Sequence, residues 1–589
     1  MGNRPRILWS RQGSNQKNQE SLCGKKSTAE RNFQKRLSTI SHDGRIQSLE
    51  LGKTIFDFAD DLAVEVPTSC GRNGKCHECV VEIISGMEAL NAASEPESFL
   101  RGNYRLACQA VVERIDTEIH FAPLRRQPRI LTLGQNKTHL DLDPMVSRRG
   151  LDVLYDGKVI DQYRGYLYGL AIDLGTTTVV IDLVDLETGD SLERLSFENP
   201  QRFGGSDVMH RISYDGGSDR GELQKAIVTA INRSIRNLSR AWKFPRRAIY
   251  EIIVAGNSSM RDLLFGLDIQ SIGQKPYKSL IEHEYLEGKR SSTELNENAW
   301  KLGLRAHRET RLYGLPLIGS HVGADAAACL TAIDMASVEG EVVMMVDVGT
   351  NTEVVIGNAK RMLAASCPAG PAFEGGVVTY GMPGYDGAIE SLKFRPENGN
   401  FDYVTIGGVS PEGLCGSGLI DLIAELRRHD RMTPKGVFQP DKRQNEITVV
   451  PENGITFSRA DGSALAQATA ANYCGQFIVM QKFGIDPESI SKLYLAGGFA
   501  NYVDVENAIA IGFLAPVSVE RIIKVGNAAI DGARELLLSR RQRKKLRALI
   551  KNIEHIELES TSDFFDIFVE GCQFTPMPSR ICNVKSAST

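Results

Sequence analysis

Nowhere in the 589-residue chain is there an apolar run approaching the ~18 residues that a membrane-spanning helix needs. The opening segment MGNRPRILWSRQGSNQ also lacks the apolar core of a secretory signal. The expectation is a cytoplasmic protein with no membrane partner. Charge of one sign is missing as well: 69 basic residues face 73 acidic ones, which leaves no field for gripping a polyanion and excludes nucleic acid as an expected partner. Cysteine is scarce. Eleven in the whole chain are too few for a disulfide scaffold and suit free thiols or metal ligands in a reducing compartment. No G-x-x-x-x-G-K-[ST] or G-x-G-x-x-G is present, so neither a P-loop nor a Rossmann dinucleotide site is indicated. H-E-x-x-H and G-x-S-x-G are absent too.

What remains is a chain long enough for three or four domains. Residues 1–36 are polar with little periodicity, and a disordered tail is expected there. Residues 37–125 begin with a hairpin around Asp43-Gly44, continue with the helical spacing of TIFDFADDL, and follow a cysteine loop with VVEIISG and RLACQAVV as strands. Residues 126–165 form a linker with a small strand pair, LDVLY and DGKVIDQY. Beyond it, strands and helices alternate with Gly-rich junctions, the pattern of an α/β architecture, over 166–335 and 336–589.

In the first domain Cys70, Cys76, Cys79 and Cys108 are spaced C-x5-C-x2-C-x28-C. A structural zinc site usually brings two C-x2-C knuckles, and the second is missing here. Three ligands on one glycine-bearing loop and a distant fourth suit a [2Fe-2S] cluster, with Gly71 and Gly74 allowing a tight path and loop amides facing the sulfides. The stretch TSCGRNGKCHECVVEI with RLACQ resembles a plant-type ferredoxin domain, which implies an α+β, ferredoxin-like (β-grasp) fold. Its first interval is one residue longer than C-x4-C, as in the branch with C-G-G-x-G-x-C-G-x-C. Arg72, Asn73 and His77 depart from that pattern. A Rieske centre needs two histidine ligands, so His77 reads as a solvated side chain.

The second part carries paired signals. YGLAIDLGTTTVVIDLVDLETGD (168–190) reads as a buried strand, a tight Gly-Thr turn and a second strand, and VVMMVDVGTNTEVVIGN (342–358) repeats it. Each sets an aspartate, Asp173 or Asp347, at a strand end before Gly175, Thr176 and Thr177 or Gly349, Thr350 and Asn351. Backbone amides and hydroxyls there can cradle phosphate while the carboxylates face Mg2+. The repeat suggests a duplicated fold with a cleft between halves. Gly497 and Gly498, after the strand KLYLA, let backbone lie flat beneath an adenine or ribose. The three segments resemble the phosphate-1, phosphate-2 and adenosine motifs of the acetate and sugar kinase, heat-shock chaperone and actin superfamily, implying an actin-like ATPase domain that takes ATP with Mg2+.

Within that superfamily, ENPQRFGGSDVMHRISY, IIVAGNSSMRDLLFG, SHVGADAAACL, PAGPAFEGG, EGLCGSGLIDLI and VGNAAIDGA resemble segments of the reductive activators of corrinoid-dependent methyltransferases. The resemblance spans roughly residues 37–122 and 166–575 and departs at Thr352, commonly glycine, and in the helix containing SRADGSALAQATAANYCG. It implies ATP-dependent one-electron reduction of a corrinoid protein from Co(II) to Co(I), with the cluster cysteines carrying the electron and Asp173 and Asp347 positioning Mg2+ or water. It also implies an unidentified electron donor and a homodimer. The alternative is a small-molecule phosphotransferase with a redox-sensing ferredoxin domain. An activator of a radical dehydratase fits less well, because its cluster cysteines would lie inside the ATPase domain. Blander readings cover the rest: Cys329, Cys367, Cys415 and Cys474 as core, Cys572 and Cys582 as unpaired, and the basic run SRRQRKKLR as a solvated helix face.

Overall fold

The computed structural model describes residues 38–124, 142–319, 321–498 and 500–581, so the expected tail, the start of the linker and Cys582 lie outside the described residues. The chain divides into two compact units at Leu124 and Arg125.

In the first unit, β1 (Thr39–His42) and β2 (Arg45–Ser48) form the hairpin, followed by helix Ile55–Asp61, β3 (Val80–Ser85), β4 (Tyr104–Leu106) and β5 (Ile119–Pro123). The sheet order is β2-β1-β5-β3-β4. Thr54 caps the helix through a reciprocal capping box with Asp57, and the turn buries Ile55, Phe56, Phe58 and Ala59 against the sheet. Two features differ from the sequence reading. The central strand β5, parallel to β1 and antiparallel to β3, was not anticipated. The strand expected at RLACQAVV stops at Leu106, because the next backbone groups bond elsewhere: Ala107 and Ala110 carbonyls accept from Phe56 and Ile55 at 3.0 and 2.9 Å. That detour carries Cys108 off the sheet.

The second unit opens with β6 (Val146–Arg149), β7 (Asp152–Tyr155) and β8 (Lys158–Gln162), three strands where a pair was expected. Two six-stranded sheets follow. The first contains β9 (Tyr168–Leu174), β10 (Thr178–Asp185), β11 (Ser191–Glu198), β12 (Ile249–Gly256), β13 (Leu295–Asn298) and β14 (Arg311–Gly314), in the order β11-β10-β9-β12-β14-β13. The second is built on β15 (Val343–Val348), β16 (Thr352–Asn358) and β17 (Arg361–Cys367). A three-stranded sheet (β18 Ala388–Arg395, β19 Asn400–Thr405, β20 Gly413–Leu414) and a hairpin (β21 Glu446–Val450, β22 Ile455–Ser458) are inserted before β23 (Lys492–Ala496), β24 (Ile522–Gly526) and β25 (Ile553–His555) complete it.

The order β24-β23-β15-β16-β17-β25 repeats the first sheet: an antiparallel meander of three strands, then two strands added in parallel to its first member. The two six-stranded sheets differ in which edge carries the sixth strand, β13 beside β14 or β25 beside β17. Helices Ala324–Ala332 and Ala528–Leu538 pack together between the halves. Their approach is set by small residues: a Cβ on Gly532 would lie 1.9 Å from the Ala328 carbonyl oxygen, so no larger residue fits without moving a helix.

The basic run forms helix Arg540–Ile550 and is not wholly solvated. Arg543 is buried at 4% exposure, bonds Glu251 at 3.0 Å and lies 4.5 Å over the Tyr313 ring.

Candidate functional site

The four thiols of the first unit sit in two pairs. Cys79 Sγ and Cys108 Sγ are 3.4 Å apart, while Thr68 Oγ1 lies 4.0 Å from Cys70 Sγ and 3.9 Å from Cys76 Sγ. All four are free thiols. Two thiolates on one tetrahedral metal with bonds of about 2.3 Å would span about 3.8 Å. The spacing of the Cys79–Cys108 pair is therefore that of shared ligation rather than a disulfide. Among the described residues, no group of three or more His, Cys, Asp or Glu has the geometry of a site for a metal ion. Pairs of thiols fit a cluster whose two irons each need two.

The surrounding backbone favours thiolate. Burial raises the Cys70 thiol, but hydrogen bonds from Cys76 and from the Asn73 and Lys75 backbone bring it down to about 7. Cys108 is lowered to about 6, first by its bond with Cys79, against burial, with help from Gln109 and the Gly74 backbone. Cys79 is pushed up by Cys108 and by burial, as expected when one partner of a thiol pair keeps the proton.

The loop keeps a glycine-like path at the positions where glycine is missing. Arg72 and His77 adopt φ of 67° and 58°, beside Gly71 at 68° and Gly74 at 78°. The left-handed region costs a branched backbone roughly 1–2 kcal/mol, and packing holds both side chains there. Arg72 lies 4.0 Å over the Phe56 ring and pairs with Asp57 and Asp60. His77 is stacked on Phe99 at 4.1 Å, which corrects its reading as a merely solvated side chain. Arg72→Gly is expected to relieve the strain while losing a half-exposed cation–π contact of similar size, so unfolding free energy should change by less than about 1 kcal/mol in chemical denaturation.

In the second unit every cleft residue named from the sequence lines one cavity: Asp173, Gly175, Thr176, Thr177, Asp347, Gly349, Thr350, Asn351, Gly497 and Gly498. The duplicated hairpins explain the convergence, since β9–β10 and β15–β16 present equivalent loops from the two halves. The hydroxyls of Thr177 and Thr350 are 3.0 Å apart. Asn257, at the start of helix Ser258–Leu264, donates to Thr176 Oγ1 at 2.9 Å, and Asn527, before helix Ala528–Leu538, donates to Asp173 Oδ2 at 2.8 Å. Gly497 has a reason beyond ligand access. Its φ is +115°, and a Cβ would lie 2.1 Å from the Val348 carbonyl oxygen, so close packing of β23 on β15 already demands glycine.

Sequence reasoning named two carboxylates, and the cavity lining holds five. Asp325, Glu353 and Glu374 join Asp173 and Asp347, while no lysine or arginine is among the described lining residues. Burial raises Asp173 to about 7, against the Asn527 bond and with help from Asp347. Burial and the charges of Asp347 and Asp173 raise Asp325 to about 7. Asp347 is raised to about 6 by burial, against a hydrogen bond from Cys329 Sγ at 3.4 Å. Burial also lifts Glu353, with Asp325 and Asp347 adding to it. Carboxylates gathered in one cavity without a lysine or arginine in its described lining are the donor set of a hard divalent ion. Asp325, Cys329, Glu374, Asn257 and Asn527 all lie in segments that carried the family resemblance, which was the available signal. Cys415 is buried as expected, yet it lines the cavity ahead of helix Gly416–Arg428.

Known families match three stretches of the chain. Residues 40–113 match a 2Fe-2S iron-sulfur cluster binding domain, 168–338 the RACo middle region, and 341–583 the C-terminal domain of RACo, the ASKHA domain. A corrinoid activation enzyme, RamQ, of Eubacterium limosum is 30% identical over 69% of this chain and 70% of its own. A [Co(II) methylated amine-specific corrinoid protein] reductase of Methanosarcina barkeri is 24% identical over 68% of this chain and 76% of its own. A solved reductive activator for corrinoid, iron-sulfur protein superposes with a TM-score of 0.67 at 25% identity, over 93% of this chain and 99% of that one. Among the described residues no helix is long and apolar enough to cross a membrane. With a ferredoxin domain at its N-terminal end and an ASKHA domain after it, the chain belongs to the RACo family of reductive activators of corrinoid proteins.

Proposed function

We propose that the protein returns a corrinoid protein from Co(II) to Co(I), passing one electron from a [2Fe-2S] cluster on Cys70, Cys76, Cys79 and Cys108 and using ATP to drive the transfer. The observation that carries this reading is the pairing, in one chain, of two thiol pairs suited to a cluster with a cleft lined by five carboxylates and by the duplicated phosphate loops. Asp173 and Asp347 would hold Mg2+ or order water. Thr176, Thr177, Thr350 and Asn351 would bind phosphates, and Gly497 and Gly498 would lie under the adenosine. Mg2+ would neutralise phosphate charge as the terminal phosphoryl group transfers. The relatives support the substrate, since both are named for acting on corrinoid systems. A cytoplasmic setting and an unidentified electron donor belong to the same reading, as does a homodimer.

Energy input is needed because Co(I) is a strong reductant. Moving one electron uphill by about 120 mV costs roughly 2.8 kcal/mol, a hundredfold penalty at equilibrium. Coupling between sites is typically about 1–3 kcal/mol, enough to offset such a gap if ATP-bound and ADP-bound states differ in affinity for the Co(II) form. Mixing anaerobic protein with a Co(II) corrinoid protein and a mild reductant should give Co(I) absorbance with ATP and little without it. ATP turnover with phosphorylation of a metabolite and no Co(I) would favour the phosphotransferase instead.

A further inference from the structure

Among the five cavity carboxylates, Glu374 is distinguished by what it bonds. It ends the short turn Ala372–Glu374 within PAGPAFEGG, anchored by Phe373, whose ring meets Phe513 edge-on at 4.9 Å. Its Oε2 accepts from the Thr177 hydroxyl at 3.0 Å and also from the Thr350 hydroxyl. One of these threonines belongs to each phosphate loop, so a single carboxylate oxygen ties the two halves of the cleft together. An oxyanion bound by both loops would need the same donors. Burial raises Glu374, against the two hydroxyl bonds and the charge of Arg211, which is itself 1% exposed.

We propose that Glu374 is a positioning residue of the nucleotide reaction, a resident anion that holds Thr177 and Thr350 and must yield both donors to the terminal phosphate of a nucleoside triphosphate. The proposal rests on reading the cleft as an ATP site. It gives that site a switch. With the triphosphate in place the terminal phosphate joins the two loops; once that phosphate has left, Glu374 takes the loops back. The binding energy of the terminal phosphate is then spent largely on displacing Glu374, so the wild-type protein should hold ATP and ADP with similar affinity.

Calorimetric titration of the full chain with ATP and with ADP tests this. In Glu374→Gln, which keeps the shape and leaves a neutral, weaker amide acceptor where the carboxylate oxygen held both hydroxyls, ATP should bind about tenfold more tightly while ADP is unchanged. A residue with a purely structural role would shift both nucleotides together or lower thermal stability. A wild-type protein that already prefers ATP to ADP by more than about tenfold, or a folded variant with an unaltered ATP-to-ADP ratio, overturns the proposal. If the variant does not fold, the wild-type ratio alone decides. Wild-type protein that binds no nucleotide would remove the ATP reading, and this one with it.

Discussion

Cys79→Ser is expected to yield a folded protein that has lost its cluster and with it at least about a thousandfold of Co(II) reduction, while ATP turnover persists. Wild-type protein purified without oxygen should carry about two irons and about two labile sulfides per chain. Cys79 is the most telling of the four thiols because it lies immediately before β3 and is buried, and its sulfur lies 3.4 Å from that of Cys108. Serine keeps the shape, but its hydroxyl is a hard, poorly ionised donor in place of a soft thiolate. The fold should survive, since the first unit is held by the five-stranded sheet and the apolar face of helix Ile55–Asp61 rather than by the loop. Iron and sulfide assay, visible absorbance and ATPase rate on one preparation check the expectation. A colourless but folded wild-type protein would end the electron-transfer reading.

The halves of the second unit were legible because the same strand-turn-strand pattern occurs twice with an aspartate at the same place. Such repetition survives in sequence even when the sheets joined to it do not. The insertions between β17 and β23 have no such echo, and nothing in their composition announced a three-stranded sheet and a hairpin. β5 escaped for another reason. It is a five-residue strand between loops whose register comes from β1 and β3, strands more than 30 residues away in sequence. Long-range pairing of this kind has no local signature.

The same contrast runs through the candidate sites. Cys70, Cys76 and Cys79 were readable from spacing, while Arg72 and His77 looked like departures that would disturb the loop. Their left-handed backbone shows that side-chain packing on Phe56 and Phe99 replaces the freedom of glycine. Asp325, Glu353 and Glu374 went unnamed because each needs the closed fold to bring it to the cleft. Glu353 sits in β16, six residues from Asp347 and directly opposite it across the strand pair. Nothing in VVMMVDVGTNTEVVIGN marks that glutamate as facing a cavity rather than solvent.

The carboxylate cluster makes the second large prediction, in which stability and activity move in opposite directions. Asp173, Asp325 and Asp347 hold protons more tightly in the folded protein than in the unfolded chain, with values of about 7, 7 and 6. The stability these groups contribute is full below about pH 4, where unfolded aspartate is still protonated, and is lost as pH climbs through 6 to 7. Melting temperature in the absence of divalent ions should therefore fall across that interval, and Mg2+ should restore it above pH 7 by supplying the missing positive charge. In Asp347→Asn one charge of the cavity is gone, while the amide oxygen can still accept from Cys329. The variant should melt about 2–4 °C above wild type at pH 8 without Mg2+, show a shallower pH dependence, and respond less to Mg2+. Its ATP turnover should drop by about a hundred- to a thousandfold, the range expected when a preorganised electrostatic partner of the transferring phosphoryl group is lost. An Asp347→Asn protein that turns over ATP at the wild-type rate would remove Asp347 from the chemistry. One that is destabilised at pH 8 would mean that its charge is already compensated within the fold.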